Sequence, residues 1–365
     1  MAAKHIKPNF SQSQASEMVT RLFSLTPTDM HSLPSYIDQN FFIATQEDGE
    51  YVLKIINSED SENVALIDMQ NYAMAYLHQK GLPTQTLRPT TGQKLMSLEE
   101  NDCGSGCQKY VVRLLRYLPG TTISKAPMTP QLLYEAGRTA ATMDTFFQEM
   151  KHPQLSVLER ETFIWNLSNV CQLEEYLSVL NGDPLQEVVK SVIHQYKLTV
   201  EPKRSTFHKC IIHGDFSDIN VLVELNNSSK ISGILDFGHL YSGYYIYELA
   251  ITIMYMMTEH PEPVEVGGSV LAGWESIIPL NQAEKDSLYV LVLSRFCQSV
   301  VMARHNVKLQ PENAEYIMIA SKRGVHILNH LWKLGKEHVE KVWFERAAQF
   351  SEDYKKKRQL DVEME

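Results

Sequence analysis

Apolar positions along this chain switch between helical and strand spacing, and the switches mark out its elements. Residues 11–26 open with Ser, Gln and Ala and then place Met18, Val19, Leu22 and Phe23 at helical spacing, which predicts an amphipathic helix. Phe41–Thr45 and Tyr51–Ile56 are short β-type runs. Between them Glu47-Asp48-Gly49-Glu50 holds an Asp-Gly pair, the signal of a tight hairpin whose central residues need positive φ. Val64–Leu77 returns to helical periodicity, and Lys109–Leu115 is a further β run that stops at Tyr117-Leu118-Pro119-Gly120. From Thr129 onward helix dominates. Thr129-Pro130 reads as an N-cap with Pro at the first helical position, and Asn281-Gln282-Ala283-Glu284 as a capping box. One β island interrupts, Ile219–Leu225 and Lys230–Phe237 joined by Asn226-Asn227-Ser228-Ser229. Residues 258–280, with their Pro and Gly, read as loop, and 351–365 as a frayed tail. The sum is an α+β chain: a small β-rich lobe over 1–118, a larger helical lobe over 119–350, and the tail.

Composition narrows the function. At 365 residues, 44% apolar and 21% charged, the chain fits one large globular domain or two lobes. A net charge of −10, from 44 acidic and 34 basic residues, argues against general nucleic-acid binding, because phosphate contacts need a basic face. A nucleotide stays open, since its few phosphates need only a local cluster and a metal. Met1–Ser11 lacks the apolar segment of a signal peptide, and Leu249–Met257, the longest apolar run, is too short to cross a bilayer, so no membrane partner is expected. Five cysteines without a dense framework fit a reducing compartment, with the cytoplasm as the expected location. His326 and His330 stand four apart but lack the glutamate and third ligand of a zinc site, and Cys103-Gly-Ser-Gly-Cys107 reads as a connector.

The chemistry concentrates in His213-Gly214-Asp215-Phe216-Ser217-Asp218-Ile219-Asn220, followed sixteen residues after Asn220 by Asp236-Phe237-Gly238. Folding the intervening hairpin brings Asp236 beside Asn220, with Asp215 on the loop ahead. Such a set suits phosphoryl transfer: Asp215 orients an attacking hydroxyl, while the oxygens of Asn220 and Asp236 hold Mg²⁺ across the phosphates. Asp-x4-Asn followed by Asp-Phe-Gly is the spacing of the protein-kinase catalytic loop. His-Gly-Asp in place of His-Arg-Asp resembles the aminoglycoside phosphotransferase and choline kinase group of small-molecule kinases. That resemblance implies a protein-kinase-like two-lobed fold, a nucleotide triphosphate and a small acceptor. It also makes His213 a buried residue that shapes the loop rather than a general base.

Lys54, in Tyr51-Val52-Leu53-Lys54-Ile55, resembles the phosphate-binding lysine of kinases. Asp68 stands on the helix where kinases place the glutamate that holds this lysine; it is one methylene shorter, and Glu62 or Gln70 are alternatives. There is no G-x-G-x-x-G loop. Leu33–Phe41 instead resembles the polar phosphate-covering turn of small-molecule kinases and places Ser35, Tyr36 and Asn40 near the triphosphate, with Asn40 equally readable as a turn residue. Leu114–Tyr117 would be the hinge against the base, with Leu115 and Tyr117 contacting it mainly through the backbone.

Longer strings, among them Val112–Gly120, Phe163–Leu167, Ile212–Val223 and Tyr241–Met257, resemble the hydroxylysine kinases within this group. The likeness implies 5-hydroxy-L-lysine as acceptor and GTP as donor, with ATP left open because hinge selectivity rests on backbone groups. An acceptor with two ammonium groups and one carboxylate calls for acidic and aromatic partners plus a cation. Asp38, Trp165, Tyr244, Tyr245 and Glu248 are candidates for the former and Arg295 for the carboxylate, with structural packing the alternative for each. His239 departs from the group's pattern, which commonly has an acidic residue there. Other hydroxylated amines as acceptors, or a nucleotide-binding pseudokinase, are the competing readings.

Overall fold

The stripe at Met18, Val19 and Phe23 forms helix α1 (Gln12–Phe23), which buries these three with Ala15. Ser11 and Gln14 close a capping box at its start, worth about 1 kcal/mol. The computed structural model describes residues 7–47, 49–102 and 106–364, with side chains at all of these except 312, 319, 320, 355 and 357–364. It divides into two compact units: Met1–Pro119 with His152–Val157, and Gly120–Lys151 with Leu158–Glu365.

The first unit is built on an antiparallel sheet of β1 (Pro27–Leu33), β2 (Gln39–Thr45), β3 (Glu50–Ile55), β4 (Leu87–Arg88), β5 (Ser97–Asp102) and β6 (Cys107–Arg116). Its order is β1-β2-β3-β6-β4, with β5 also on β6. The two expected β runs pair as β2 and β3, Phe41 opposite Leu53. Gly49 of their turn takes φ +75°; Asp48 lies outside the described residues, as does Cys103 of the connector. Two strands lack a legible apolar pattern: β1 buries only Met30 of its seven residues, and β5 is a half-buried, polar strand. Phe41, Ile43, Leu53, Ile55, Val112 and Leu114 pack with α1 and Phe10 in one core, each worth about 1.5–3 kcal/mol on full burial. Lys54, between Leu53 and Ile55, therefore projects from the opposite sheet face. Helices α2 (Ser58–Ser61) and α3 (Val64–Gln79) follow β3.

The second unit runs through β7 (Thr121–Thr122), α4 (Pro130–Glu149), a 3-10 segment Leu167–Leu180 and α5 (Leu185–Thr199). Next come β8 (Lys209–Ile212), β9 (Val221–Glu224), β10 (Asn227–Ile234), β11 (Tyr241–Tyr244) and α6 (Tyr245–Met257). Helices α7 (Pro263–Glu275), α8 (Gln282–Leu309), α9 (Ala314–Ile317), α10 (Ile319–Leu334) and α11 (Lys336–Met364) complete it. Thr129 and the Asn281–Glu284 capping box start α4 and α8 as their sequences require. Helix α8 is long and apolar enough to cross a membrane, but 94% of its apolar window is buried inside the protein, which makes it the core helix of the unit. The β9–β10 hairpin forms, with a tighter turn than its sequence suggests: Asn227 pairs with Glu224, which leaves only Leu225-Asn226 to turn.

Two expectations fail here. Residues 258–280 contain α7, and its glycines are points of close approach rather than helix breakers. A Cβ on Gly273 would lie 1.9 Å from the Tyr134 carbonyl of α4, and one on Gly267 would lie 2.4 Å from Trp343 Nε1 of α11. Pro263 sits in the first turn, where a missing N–H costs nothing. Residues 351–364 continue α11 instead of fraying, anchored where Phe350 and Tyr354 pack on Tyr134 with centroids 4.9 and 4.8 Å away. Gly273→Ala should therefore cost about 3 kcal/mol of unfolding free energy or prevent folding, read from denaturant midpoints. A change below about 0.5 kcal/mol would show that α4 and α7 do not pack this closely.

Candidate active site

Strand β8 delivers the chain to His213, which is buried between two backbone groups. Its Nδ1 accepts from the Asp215 N–H at 3.2 Å, and its Nε2 faces the Leu235 carbonyl at 2.9 Å, which assigns the proton to Nε2. Burial lowers its pKa and keeps it neutral, in keeping with a role in shaping the loop. Gly214 takes φ +76°, and a Cβ there would meet the Tyr241 ring at 2.7 Å. Only glycine fits both demands. Its N–H donates to Glu248 Oε2 at 3.0 Å.

Asp215 Oδ2 accepts from Asn220 Nδ2 at 2.7 Å, and the same nitrogen reaches the Asp215 carbonyl at 3.1 Å. The Asn220 amide protons are thereby directed at Asp215, so its carbonyl oxygen remains the group to offer a cation. Leu235 N donates to the Asn220 main-chain oxygen at 2.8 Å, extending the β9–β10 pairing and making Asp236 the next residue along. Asp236 is exposed and left-handed at φ 56°, a strained setting for a non-glycine residue, with Oδ1 accepting from Gly238 N at 3.2 Å. Two hard oxygen donors one strand position apart, an amide and a carboxylate, fit a divalent cation such as Mg²⁺.

The substrate candidates fare differently. Arg295 of α8 is fully buried. Its Nη2 lies 3.2 Å from Asp215 Oδ1, 3.1 Å from the Gly214 carbonyl and 3.2 Å from the Tyr255 hydroxyl. Its Nη1 donates to the Trp165 carbonyl at 3.1 Å. A guanidinium so engaged is not presented to a substrate carboxylate. Trp165 covers this guanidinium at 4.9 Å and stacks on His239 at 5.6 Å. His239 Nδ1 stands 3.9 Å from Asp215 Oδ1; burial lowers its pKa to about 4, so it is uncharged near neutrality. Glu248 lies behind the loop, fully buried, and burial lifts its pKa to about 7; Asp144 beside it is raised too, by burial and by Glu248. It braces the loop and does not face an acceptor. Tyr244 packs on Phe207 and Tyr247, and Tyr245 leans toward His208, so their contacts run to the β8–β11 side instead of toward Asp215.

In the first unit Lys54 Nζ is paired with Asp38 Oδ2 at 2.8 Å. Asp38 Oδ1 accepts from the Asn57 N–H at 3.0 Å and from its side-chain amide at 3.1 Å. Asp68 is exposed on α3, so the lysine's carboxylate comes from the turn before β2 and not from the helix. Asp38 is accounted for by this pair rather than by a substrate. Asn40 sits opposite Lys54 in the β2–β3 ladder, its Oδ1 buried without a donor. In the same turn Ser35 Oγ bonds the Asp38 carbonyl and Tyr36 is half-buried. Leu115 is buried opposite Val52, and Tyr117 N donates to the Glu50 carbonyl at 2.9 Å. Sequence reasoning missed Tyr255 and Gln298. For Glu248 and Arg295, each a lone charge inside an apolar helical run, the contacts favour the packing alternative over the substrate one.

A loop that aims one carboxylate past an amide, closed by a hairpin that returns a second carboxylate, is phosphotransferase construction. Residues 30–280 match the model of the phosphotransferase enzyme family APH, and the chain belongs to that family. Within it, the hydroxylysine kinase of Danio rerio is 56% identical over 96% of this chain and 99% of its own length. The hydroxylysine kinase of Mus musculus is 45% identical over 95% and 96%. The chain is therefore a small-molecule kinase that transfers phosphate to a hydroxyl group. Its fold is shared with amicoumacin kinase hAmiN in complex with AMP-PNP, Ca²⁺ and Ami (TM-score 0.64, 14% identity, 87% of this chain and 95% of that one). A microcompartment-associated aminopropanol kinase also shares it (TM-score 0.62, 15% identity, 88% and 98%).

Two outcomes follow. Asp38→Ala removes the carboxylate that pairs with the buried lysine and should cost about 3 kcal/mol by denaturant unfolding, whereas Asp68→Ala should stay within about 0.5 kcal/mol. Equal effects would place the lysine's partner elsewhere. Glu248 holds a proton in the folded state that the unfolded chain releases near 4.5, so its contribution is full below about 4.5 and lost as pH rises through about 7. Glu248→Gln keeps an oxygen for Gly214 and should gain stability relative to the parent as pH rises across that window; parallel stability–pH curves would contradict this.

Proposed function

We propose that this kinase phosphorylates the side-chain hydroxyl of 5-hydroxy-L-lysine, with GTP as donor and Mg²⁺ as the metal, giving 5-phosphohydroxy-L-lysine and GDP. The observation that carries the chemistry is the Asp215–Asn220 hydrogen bond of 2.7 Å beside Asp236. It orients Asp215 and leaves an amide oxygen and a carboxylate for the ion. Support for the acceptor comes from the relatives named hydroxylysine kinase, which match nearly end to end.

Asp215 receives the acceptor's O–H, aligns the oxygen with the γ-phosphorus and takes the proton as the O–P bond forms and the bond to the departing diphosphate breaks. Asn220 and Asp236 would hold Mg²⁺, which supplies charge neutralisation at the phosphates when bound. Lys54 serves as the cation for the donor's phosphates, kept in place by Asp38 until the nucleotide arrives. Ser35, Tyr36 and Asn40 are assigned to the phosphate-covering turn, and Leu115 and Tyr117 to the base. Among the described residues Cys107, Cys171, Cys210 and Cys297 are free thiols, which supports a reducing compartment such as the cytoplasm.

A panel of hydroxylated amines and amino acids, each assayed with GTP and with ATP, tests the assignment. Hydroxylysine with GTP should give the highest kcat/KM; a better acceptor, or better turnover with ATP, would replace that part of the reading. Asp215→Ala should lower kcat by about 10²–10⁴-fold with the thermal midpoint unchanged, and near-parental turnover would remove Asp215 from the mechanism.

A further inference from the structure

Phosphoryl transfer as written above makes no use of Arg295, yet the protein keeps this charge inside the buried core helix α8. A guanidinium out of water is costly unless its donors are matched, and an ion pair so placed serves geometry better than stability. Here the two terminal nitrogens are matched specifically, while Nε is buried without a partner. The two carboxylate oxygens of Asp215 are divided between two elements: Oδ2 to Asn220 at 2.7 Å and Oδ1 to Arg295 at 3.2 Å. The two bonds together fix the plane of the carboxylate as well as its position. Tyr255 offers its hydroxyl oxygen to the same Arg295 nitrogen at 3.2 Å.

The other end of the guanidinium holds a different segment. Nη1 takes the Trp165 carbonyl at 3.1 Å, and Gln298, three residues on along α8, donates to the carbonyls of Ile164 at 2.7 Å and Asn166 at 3.2 Å. That segment carries the Trp165 ring, which stacks on His239, itself 3.9 Å from Asp215. One face of α8 thus ties the carboxylate and the aromatic wall beside it to a single rigid reference.

We propose that Arg295 is the positioning residue of Asp215, setting the carboxylate plane and, through the Trp165 carbonyl, its distance from the Trp165–His239 wall. This rests on the reading that Asp215 takes the acceptor's proton. Arg295 acts through Asp215 and touches neither donor nor acceptor.

Steady-state kinetics on the full chain test it, with Arg295→Ala, Arg295→Lys and Tyr255→Phe against the parent. Because misplacement of a reacting group by about 1 Å costs roughly 10²-fold, Arg295→Ala should lose about that much kcat while KM for the nucleotide stays within about threefold. Guanidinium chloride at low millimolar concentration should return about tenfold of the loss, and Arg295→Lys should recover less, since a point charge cannot span both segments. Tyr255→Phe keeps the ring and removes one hydroxyl, so it is expected to fold; it should lower kcat about three- to tenfold at an unchanged thermal midpoint. It decides the matter if Arg295→Ala does not fold. Near-parental kcat in Tyr255→Phe, or a folded Arg295→Ala that guanidinium does not rescue, would overturn the proposal. Parental turnover across the acceptor panel judges the functional reading separately, and the variant-to-parent ratio is taken on whichever acceptor the parent uses.

Discussion

A backbone turn that only glycine can make, held from behind by a buried carboxyl group, is the constraint on which the site depends. Gly214 at positive φ lets the chain leave β8 and present Asp215 and Asn220 on one side, while Glu248 takes the Gly214 N–H that the turn exposes. Without that acceptor a donor would be sealed from water unpaired, at about 1–3 kcal/mol. The arrangement has its own cost, because Glu248 sits beside Asp144 where both carboxyls are pushed toward the neutral form. Arg295 enters the same loop from α8 with the opposite charge and bonds the Gly214 carbonyl, so acid and base grip the turn from two helices.

That framework explains why the sequence signals of this protein fall where they do. The gathering of His213, Gly214, Asp215, Asn220 and Asp236 on one loop and one hairpin was legible because it depends on short-range spacing. The elements with strong periodicity, α1, α3, β2, β3 and β6, were legible for the same reason: local pattern and tertiary burial agree. Helix α7 was not. Gly273 and Gly267 are explained by Tyr134, 139 residues before, and Trp343, 76 residues after, and no local rule reveals such contacts. β1 and β5 escaped because polar strands at or near a sheet edge carry little apolar alternation.

Side-chain partners were the least legible level. Lys54 was readable as a functional lysine from its apolar strand neighbours, but its carboxylate turned out to come from Asp38 in the preceding turn, reached through the β2–β3 register that sets Asn40 opposite Lys54. Charges on helices were seen, but their duty stayed open between a charged ligand and structural packing. Lone charges in apolar helices need partners inside the protein, and for Glu248 and Arg295 the 213–220 loop supplies them.

The central claim is that Asn220 and Asp236 share a divalent cation beside Asp215. A crystal structure with Mn²⁺ and a non-hydrolysable GTP analogue, with the metal placed by its anomalous signal, tests it most directly. The ion should lie about 2.0–2.3 Å from the Asn220 side-chain oxygen and an Asp236 carboxylate oxygen, and bridge to the phosphates. A metal bound away from both residues, with nucleotide present, would contradict the account.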